Sequence, residues 1–319
     1  MSDLSSLSFL VTGGAGFIGS NLVEHLLSKN ARRVRILDDF STGRRKNIAP
    51  FGDRIEVLEG DLRDPSAVRN AVEGIDYVLH QGAIPSVPRS VDDPLLTTEV
   101  NIGGTVNILT YSARAGVKRV VFASSSSVYG DTPELPKHED MPLRTLSPYA
   151  ASKGAGELYC RSFSEVMGME AVCLRYFNIF GPRQDPASQY AAAIPRFVAA
   201  ILKDQPVPIY GDGLQTRDFT YIDNVVHANL AACFADGVAG RSYNIGCGER
   251  ITVLELAQGL ADVLGKELRV EHLPPRPGDV RDSLASIERS RDELGYRPMV
   301  KLREGLKRTV DYFKKELAA

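Results

Sequence analysis

The chain has 319 residues, of which 43% are hydrophobic and 24% charged, with a formal net charge of −2. That composition belongs to a globular protein rather than a disordered or fibrous one, and the length calls for one large domain or two closely joined ones. The near-neutral balance gives no reason to expect nucleic acid or an anionic membrane as partner.

The first residues, MSDLSSLSFLVTGG, carry no basic stretch ahead of a short apolar run, which predicts a cytoplasmic protein with neither signal peptide nor membrane span. Residues 7–11 read as the first strand. TGGAGFIG follows directly, with Gly13, Gly16 and Gly19 in GxxGxxG spacing, and a helix opens behind it with Ile18, Leu22 and Leu26 on one face. Such glycines permit a tight turn and close backbone approach, and the helix N-terminus offers N–H groups to a pyrophosphate. Residues 34–37 read as the second strand. Asp38 ends it about 20 residues beyond the glycines, where an acid accepts the hydroxyls of an adenine ribose. An acid there disfavours a 2′-phosphate, so the expected cofactor is NAD. Arg44, Arg45 and Lys46 could be a 2′-phosphate clamp, but a solvated loop run is the commoner case.

Residues 56–58, 77–79, 120–123 and 171–174 supply four further strands between helical stretches. This βαβ alternation predicts an α/β fold with a six-stranded, doubly wound, Rossmann-like parallel sheet over residues 1–177. Ser86 and Arg89, in IPSVPRS, follow the fourth strand, and Ser86 is a candidate substrate contact; Asn101, in VNIGGT, is a candidate for the cofactor. ASSSSVYG closes the fifth strand with four consecutive serines, Ser124, Ser125, Ser126 and Ser127. SPYAASK then places Tyr149 and Lys153 one helical turn apart, so both side chains leave the same face. YxxxK alone is a frequent chance pattern. After a glycine loop and a serine-rich strand end, in that order, it points to proton transfer beside a nicotinamide.

Beyond residue 178 the texture changes to turn-rich insertions, GPRQDP, KDQPVPIYGDG and LPPRPGD, separated by helical segments such as Val253–Leu264. Residues 178–319 are therefore expected to form a smaller, mainly substrate-binding α/β region, with the chain free to cross between the two. Cys160, Cys173, Cys233 and Cys247 show no CxxC spacing; they read as buried small hydrophobes, and no metal site is expected.

Taken with RYFNIFGPR, YGDGLQTRDFTYIDN and RPGDVRDS, these motifs resemble the extended short-chain dehydrogenase/reductases and, within them, the UDP-sugar 4-epimerases, over essentially the whole chain. The resemblance implies that Tyr149 is the base, that Lys153 holds the nicotinamide ribose and that Ser125 hydrogen-bonds the reacting sugar oxygen, with Ser126 and Ser127 as alternatives. It adds Phe17, Ile18, Asp39, Asp61, Leu62, Gln81, Gly82, Ala83, Ser124 and Tyr176 to the residues facing NAD. On the substrate side it assigns Arg217 and Arg276 to the pyrophosphate, Asn178 to the substrate, Asp279 to the nucleotide ribose and Pro208 to Tyr210 to the uracil. Ser283, four positions after Asp279, would border the sugar's C2 substituent; a bulky tyrosine there marks relatives restricted to UDP-glucose and UDP-galactose, so serine implies that N-acetylhexosamines are also accepted. The implied activity is C4 epimerisation of UDP-hexoses through a transient 4-keto sugar with tightly held NAD, in a homodimer joined through residues 100–115 and 150–166.

Two rival functions remain at this point. UDP-glucuronate 4-epimerases share the SSSSVYG texture, although they usually carry threonine where Asn178 stands. A non-catalytic NAD sensor would commonly lack the tyrosine or the lysine, and both are present. Dehydratases of this group carry an Asp-Glu pair where this chain has Ser126-Ser127, so elimination lacks its acid and base. On free-residue values a tyrosine near 10 is too weak a base, and a cation at about 4 Å would lower it by roughly three units. Lys153 and the nicotinium ring together are expected to supply that charge.

Overall fold

The computed structural model describes residues 4–185, 193–275 and 280–318. The six expected strands form close to their predicted places: β1 Ser8–Thr12, β2 Arg33–Asp38, β3 Glu56–Glu59, β4 Tyr77–His80, β5 Arg119–Ser125 and β6 Ala171–Tyr176. The second half contributes β7 Ile179–Phe180, β8 Val207–Tyr210, β9 Thr216–Arg217, β10 Thr220–Tyr221, β11 Ser242–Ile245, β12 Ile251–Thr252 and β13 Val270–Leu273.

The central sheet has seven parallel strands in the order β11-β6-β5-β4-β1-β2-β3, a Rossmann-like α/β arrangement. The strand order reverses between β1 and β4, and at such a switch point the carboxyl ends of the strands open a crevice for a ligand. The seventh strand was not among those expected from sequence. SYNI is only four residues long, and Tyr243, Asn244 and Ile245 are all buried, so it shows no alternation; only its pairing with β6, Ser242 on Cys173 through Ile245 on Tyr176, makes it a strand. It brings the chain back from the second half into the nucleotide-binding sheet. The remaining short strands pair as β7 with β10, β8 with β13 and β9 with β12.

Apolar helix faces cover both sides of the sheet. Leu22, Val23 and Leu26 of the helix Phe17–Ser28 share one core with Val225, Ala228 and Leu230 of the helix Ile222–Phe234. On the other side Val68, Ile108, Leu109 and Cys160 pack on Leu10, Val78 and Phe122. The helix Pro148–Met167 sits especially close: a Cβ on Gly156 would lie 2.4 Å from the Phe122 ring. Its start is fixed by Ser147, whose side chain accepts from the N–H of Ala150, with Pro148 in the first turn. Tyr149 is thereby held in that first turn. The helix Val253–Leu264 forms with its predicted bounds, opened by a Thr252–Glu255 capping box. Among the described residues no helix is long and apolar enough to cross a membrane. Cys160, Cys173 and Cys233 are buried and Cys247 partly so.

Candidate active site

The glycine loop follows β1. Gly13 has φ +63°, and a Cβ there would come within 2.9 Å of the Gly82 backbone; a Cβ on Gly19 would stand 2.1 Å from the Gly13 carbonyl oxygen. Both positions therefore require glycine. Gly16 heads the helix Phe17–Ser28, whose first turn no side chain caps, and Phe17 and Ile18 are partly buried against the core. A backbone cradle at an uncapped helix N-terminus fits a dinucleotide pyrophosphate. Gly19→Ala should consequently fold yet lose bound NAD, with at least about tenfold weaker affinity; wild-type NAD content in the purified variant would contradict this cradle.

Asp38 closes β2. Its buried carboxylate accepts from the N–H of Ala15 and of Phe40, both at 2.9 Å, tying the acid to the glycine loop. Burial raises its pKa above the usual carboxylate range, and those two N–H groups work against the rise. Asp39 is exposed and caps its own turn at Ser41. Arg44 pairs with Asp185, Arg45 with Glu59 and Lys46 with Glu316, so each cation of the run has a protein carboxylate beside it, and Arg45 and Lys46 stand on a short helix, Arg45–Ile48, instead of the expected loop. Asp61 is held below the usual carboxylate range chiefly by hydrogen bonds from Arg63. Leu62 is buried where side chains on Gly82 or Gly104 would collide with it.

After β4, the N–H of Gly82 donates to the Thr12 hydroxyl at 3.0 Å, and Ala83 is half-buried. Gln81 and Tyr176 close a triangle with Asn229: Tyr176 donates to Gln81, Gln81 to Asn229, and Asn229 to Tyr176. Asn101 is buried and clamps Ile84, accepting from its N–H at 2.8 Å and donating to its carbonyl and to Ser152. Ser124 turns its hydroxyl into the core, onto Glu157. Thr12, Gln81, Gly82, Ser124 and Tyr176 stand at the carboxyl ends of β1, β4, β5 and β6, and Asn101 and Asn229 reach them from helices.

The catalytic candidates converge at the end of β5. Of the four serines, Ser125 is the one that acts on Tyr149, pulling its pKa down; Ser127 donates its hydroxyl to Ser125 at 2.9 Å, and Ser126 is partly buried beside them. Lys153 is buried, donates to the Ala123 carbonyl at 2.8 Å and lies 5.0 Å from the Phe122 ring centroid. Burial lowers its pKa to about 8. Burial raises the Tyr149 pKa, against the pull of Ser125. In the protein alone the Lys153 ammonium group is turned to Ala123 and sits 6.0 Å from the tyrosine ring centroid; the expected lowering called for Lys153 and the nicotinium ring together.

On the substrate side, Ser86 is buried and caps the short helix Val87–Asp92. Asn178 has φ +37° and donates to the Asp218 carbonyl at 2.9 Å. Pro208 and Tyr210 lie half-buried on β8. Arg217 donates to the carbonyls of Thr216 and Arg281 and lines a cavity with Phe219, Cys247 and Ile251, a cavity that contains neither Ser125 nor Tyr149. Ser283 is half-buried and bonded through its N–H to Thr216, one residue from Arg217. Arg276 and Asp279 fall outside the described residues.

Three important side chains carried no sequence signal that was used. Glu157, one helical turn after Lys153, is buried against Arg175 of β6 at 2.7 Å. His80 ends β4 between two threonines. Asp218, fully buried, accepts from the N–H groups of Cys247, Gly248 and Ala285 and so holds together the segments on which Asn178, Arg217 and Ser283 sit. Asp218 stands inside the YGDGLQTRDFTYIDN motif, Glu157 four residues beyond SPYAASK and His80 at the end of the fourth strand, so each lay within or beside a stretch already marked by pattern.

A crevice at the switch point, floored by glycine backbone and walled by an acid, defines a nucleotide-dependent enzyme of the Rossmann class. Sequence comparison makes this specific: the NAD dependent epimerase/dehydratase family matches residues 9–246, and the chain belongs to that family, with NAD as its cofactor. It is 40% identical over 309 residues to a UDP-glucose 4-epimerase of Mycolicibacterium smegmatis, covering 96% of this chain and 98% of that one. Among solved structures it matches the UDP-N-acetylglucosamine 4-epimerase of Methanobrevibacter ruminantium in complex with UDP-N-acetylmuramic acid, at 39% identity and TM-score 0.93, covering 99% and 100% of the two chains. It also matches the UDP-glucose 4-epimerase of Thermus thermophilus in complex with NAD, at 39% identity and TM-score 0.88, covering 97% and 99%.

Proposed function

We propose that this enzyme inverts the C4 hydroxyl of UDP-hexoses, interconverting UDP-glucose with UDP-galactose and UDP-GlcNAc with UDP-GalNAc. The observation that carries the proposal is the convergence at the strand end of Tyr149 and Ser125, the side chain that pulls the tyrosine's pKa down, with buried Lys153 one turn along the same helix. Bound NAD supplies the hydride acceptor and, in the return half, the donor. Tyr149 takes the C4′ hydroxyl proton and, in the return half, gives a proton back to the same oxygen while hydride would be delivered to the other face of C4′; Ser125 holds that oxygen; Lys153 anchors the cofactor's ribose and keeps a positive charge beneath it. Ser126 and Ser127 offer no acid-base pair for elimination, which supports a cycle without net loss of water. The cation needed to bring Tyr149 down from its raised pKa is worth roughly 4 kcal/mol at about 4 Å, and an oxidised nicotinamide ring carries one.

Breadth of substrate is assigned to Ser283. A small residue leaves room for an N-acetyl group, whereas a tyrosine would exclude it sterically while tolerating the smaller hydroxyl. Ser283→Tyr should abolish turnover of UDP-N-acetylhexosamines and retain that of UDP-galactose. Equal loss on both substrates would remove Ser283 from the sugar pocket.

Dimerisation is part of the same reading. Leu158, Tyr159, Val166 and Met167 on the helix Pro148–Met167 are exposed, Val166 to 83%, and such a patch is the kind that a second copy covers. Sedimentation should give a dimer that Leu158→Arg converts to monomer; a wild-type monomer would exclude it.

A further inference from the structure

Under the candidate site a single hydrogen-bond path joins the glycine loop to the helix that carries Tyr149. It begins at Thr12, the last residue of β1, whose hydroxyl accepts from the N–H of Gly82 at 3.0 Å and meets His80 Nδ1 at 2.7 Å. His80 Nε2 meets the Thr105 hydroxyl at 3.0 Å, and that hydroxyl donates to the Asn101 carbonyl. The Asn101 side chain holds Ile84 and donates to Ser152 at 3.0 Å, and Ser152 donates to the backbone carbonyl of Tyr149 at 2.8 Å. Thr12, His80, Asn101, Thr105 and Ser152 are all buried.

The directions of these bonds follow from the ends of the path. A carbonyl only accepts, so Thr105 spends its proton on Asn101 and must accept from His80 Nε2–H. Nδ1 is then bare and accepts from the Thr12 hydroxyl. One tautomer satisfies every group, and an imidazolium does not, since it would present two N–H groups to a pair of hydroxyls of which Thr12 must then find another acceptor. Burial, and to a lesser extent the charge of Lys153, lowers the His80 pKa to about 3, in keeping with a permanently neutral ring.

We propose that His80 is a positioning residue that couples the seat of the cofactor loop to the height of Tyr149, through Thr12 on one side and Thr105, Asn101 and Ser152 on the other. The proposal rests on Tyr149 being the proton acceptor. The two ring nitrogens serve different ends of the site, so they are separable: Nδ1 fixes the glycine loop, and Nε2–H fixes the catalytic helix.

Four variants and one spectrum test this. In His80→Phe, which removes both nitrogens, NAD content of the purified protein should fall about fivefold or more. Its kcat per NAD-loaded enzyme should fall about tenfold or more, with the KM for UDP-galactose moving less than about threefold. His80→Gln, which can still donate toward Thr105, should recover kcat per loaded enzyme but not NAD content. His80→Asn, which can still accept from Thr12, should recover NAD content but not kcat. Should His80→Phe fail to fold, Thr105→Val should keep NAD content and lose kcat about tenfold. In the wild-type holoenzyme, the nitrogen NMR spectrum of His80 should show the neutral Nε2–H form between pH 5 and pH 8. An Nδ1–H tautomer, a kcat per loaded enzyme unchanged in His80→Phe, or equal recovery of both quantities by asparagine and glutamine would overturn the proposal. If the wild-type enzyme turns over no UDP-sugar, the C4 reading falls, while NAD content and tautomer still decide the role of His80.

Discussion

Tyr149→Phe is expected to lower turnover of UDP-galactose by about a thousandfold while leaving the fold, the NAD content and the KM nearly unchanged. The phenol oxygen is the only atom removed. In the protein its neighbour is Ser125, and Ser125 keeps its bonds from the N–H and hydroxyl of Ser127 when that oxygen is gone. Lys153 is held by the Ala123 carbonyl and not by the tyrosine, so the group proposed to anchor the cofactor ribose does not move. A general base contributes about 10²–10⁴-fold, and with hydride transfer coupled to loss of the hydroxyl proton the loss belongs in the upper part of that range. The effect should fall on kcat, because Tyr149 acts on a proton that is transferred only in the transition state. Single-turnover measurements on variant and wild type at equal NAD occupancy check it. Activity within about tenfold of wild type would move the base elsewhere.

Glu157→Ala should be the most destabilising single change in the nucleotide-binding half, at about 3–5 kcal/mol, because it strands a buried guanidinium. Glu157 and Arg175 both lie almost wholly inside, with side chains 6% and 5% exposed, and meet through paired hydrogen bonds at 2.9 and 2.7 Å. The same carboxylate accepts from Ser124 of β5 and Ser242 of β11, and Arg175 goes on to the Tyr129 hydroxyl, which donates to Asn244. One acid thus ties the catalytic strand end, the catalytic helix, β6 and the returning strand β11 together. Removing it leaves the arginine with Tyr129 and the Glu139 carbonyl only. The melting temperature should fall on the order of 10 °C. A loss below about 1 kcal/mol by denaturant titration would show that Arg175 finds another partner or reaches water.

The parts of this molecule that could be read from sequence are those where local pattern and function coincide. The β-branched runs of β1, β2 and β5 gave both strand and position, and the glycine spacing after β1 gave the turn, since Gly13 and Gly19 admit no side chain. Asp38 was recognisable because its distance from the glycines has a chemical reason. What stayed hidden depends on contacts between distant segments. β11 has no period of its own and becomes a strand only beside β6. The partnership of Glu157 with Arg175 spans 18 residues and that of Asp218 with Ala285 spans 67, and nothing in either stretch advertises the other. Asn101 and Tyr176, expected at the cofactor, have their side chains bonded to Ile84 and Ser152 and to Gln81 and Asn229, partners that no local pattern announces. The choice of Ser125 among four serines also needed coordinates, because it turns on which hydroxyl faces Tyr149. Sequence set Lys153 beside the nicotinium ring as the charges acting on the tyrosine; that the ammonium group faces Ala123 needed coordinates.

The central claim is inversion at C4 with the hydride returned to the carbon it left, and isotopic labelling tests it most directly. UDP-[4-²H]glucose should be incubated with the purified enzyme, without added cofactor, and the product examined by NMR. The account predicts UDP-galactose carrying deuterium at C4, with none released to water and no 4-keto-6-deoxy sugar formed. Loss of the label to solvent, inversion at another carbon, or no turnover of this or any other UDP-hexose would contradict it.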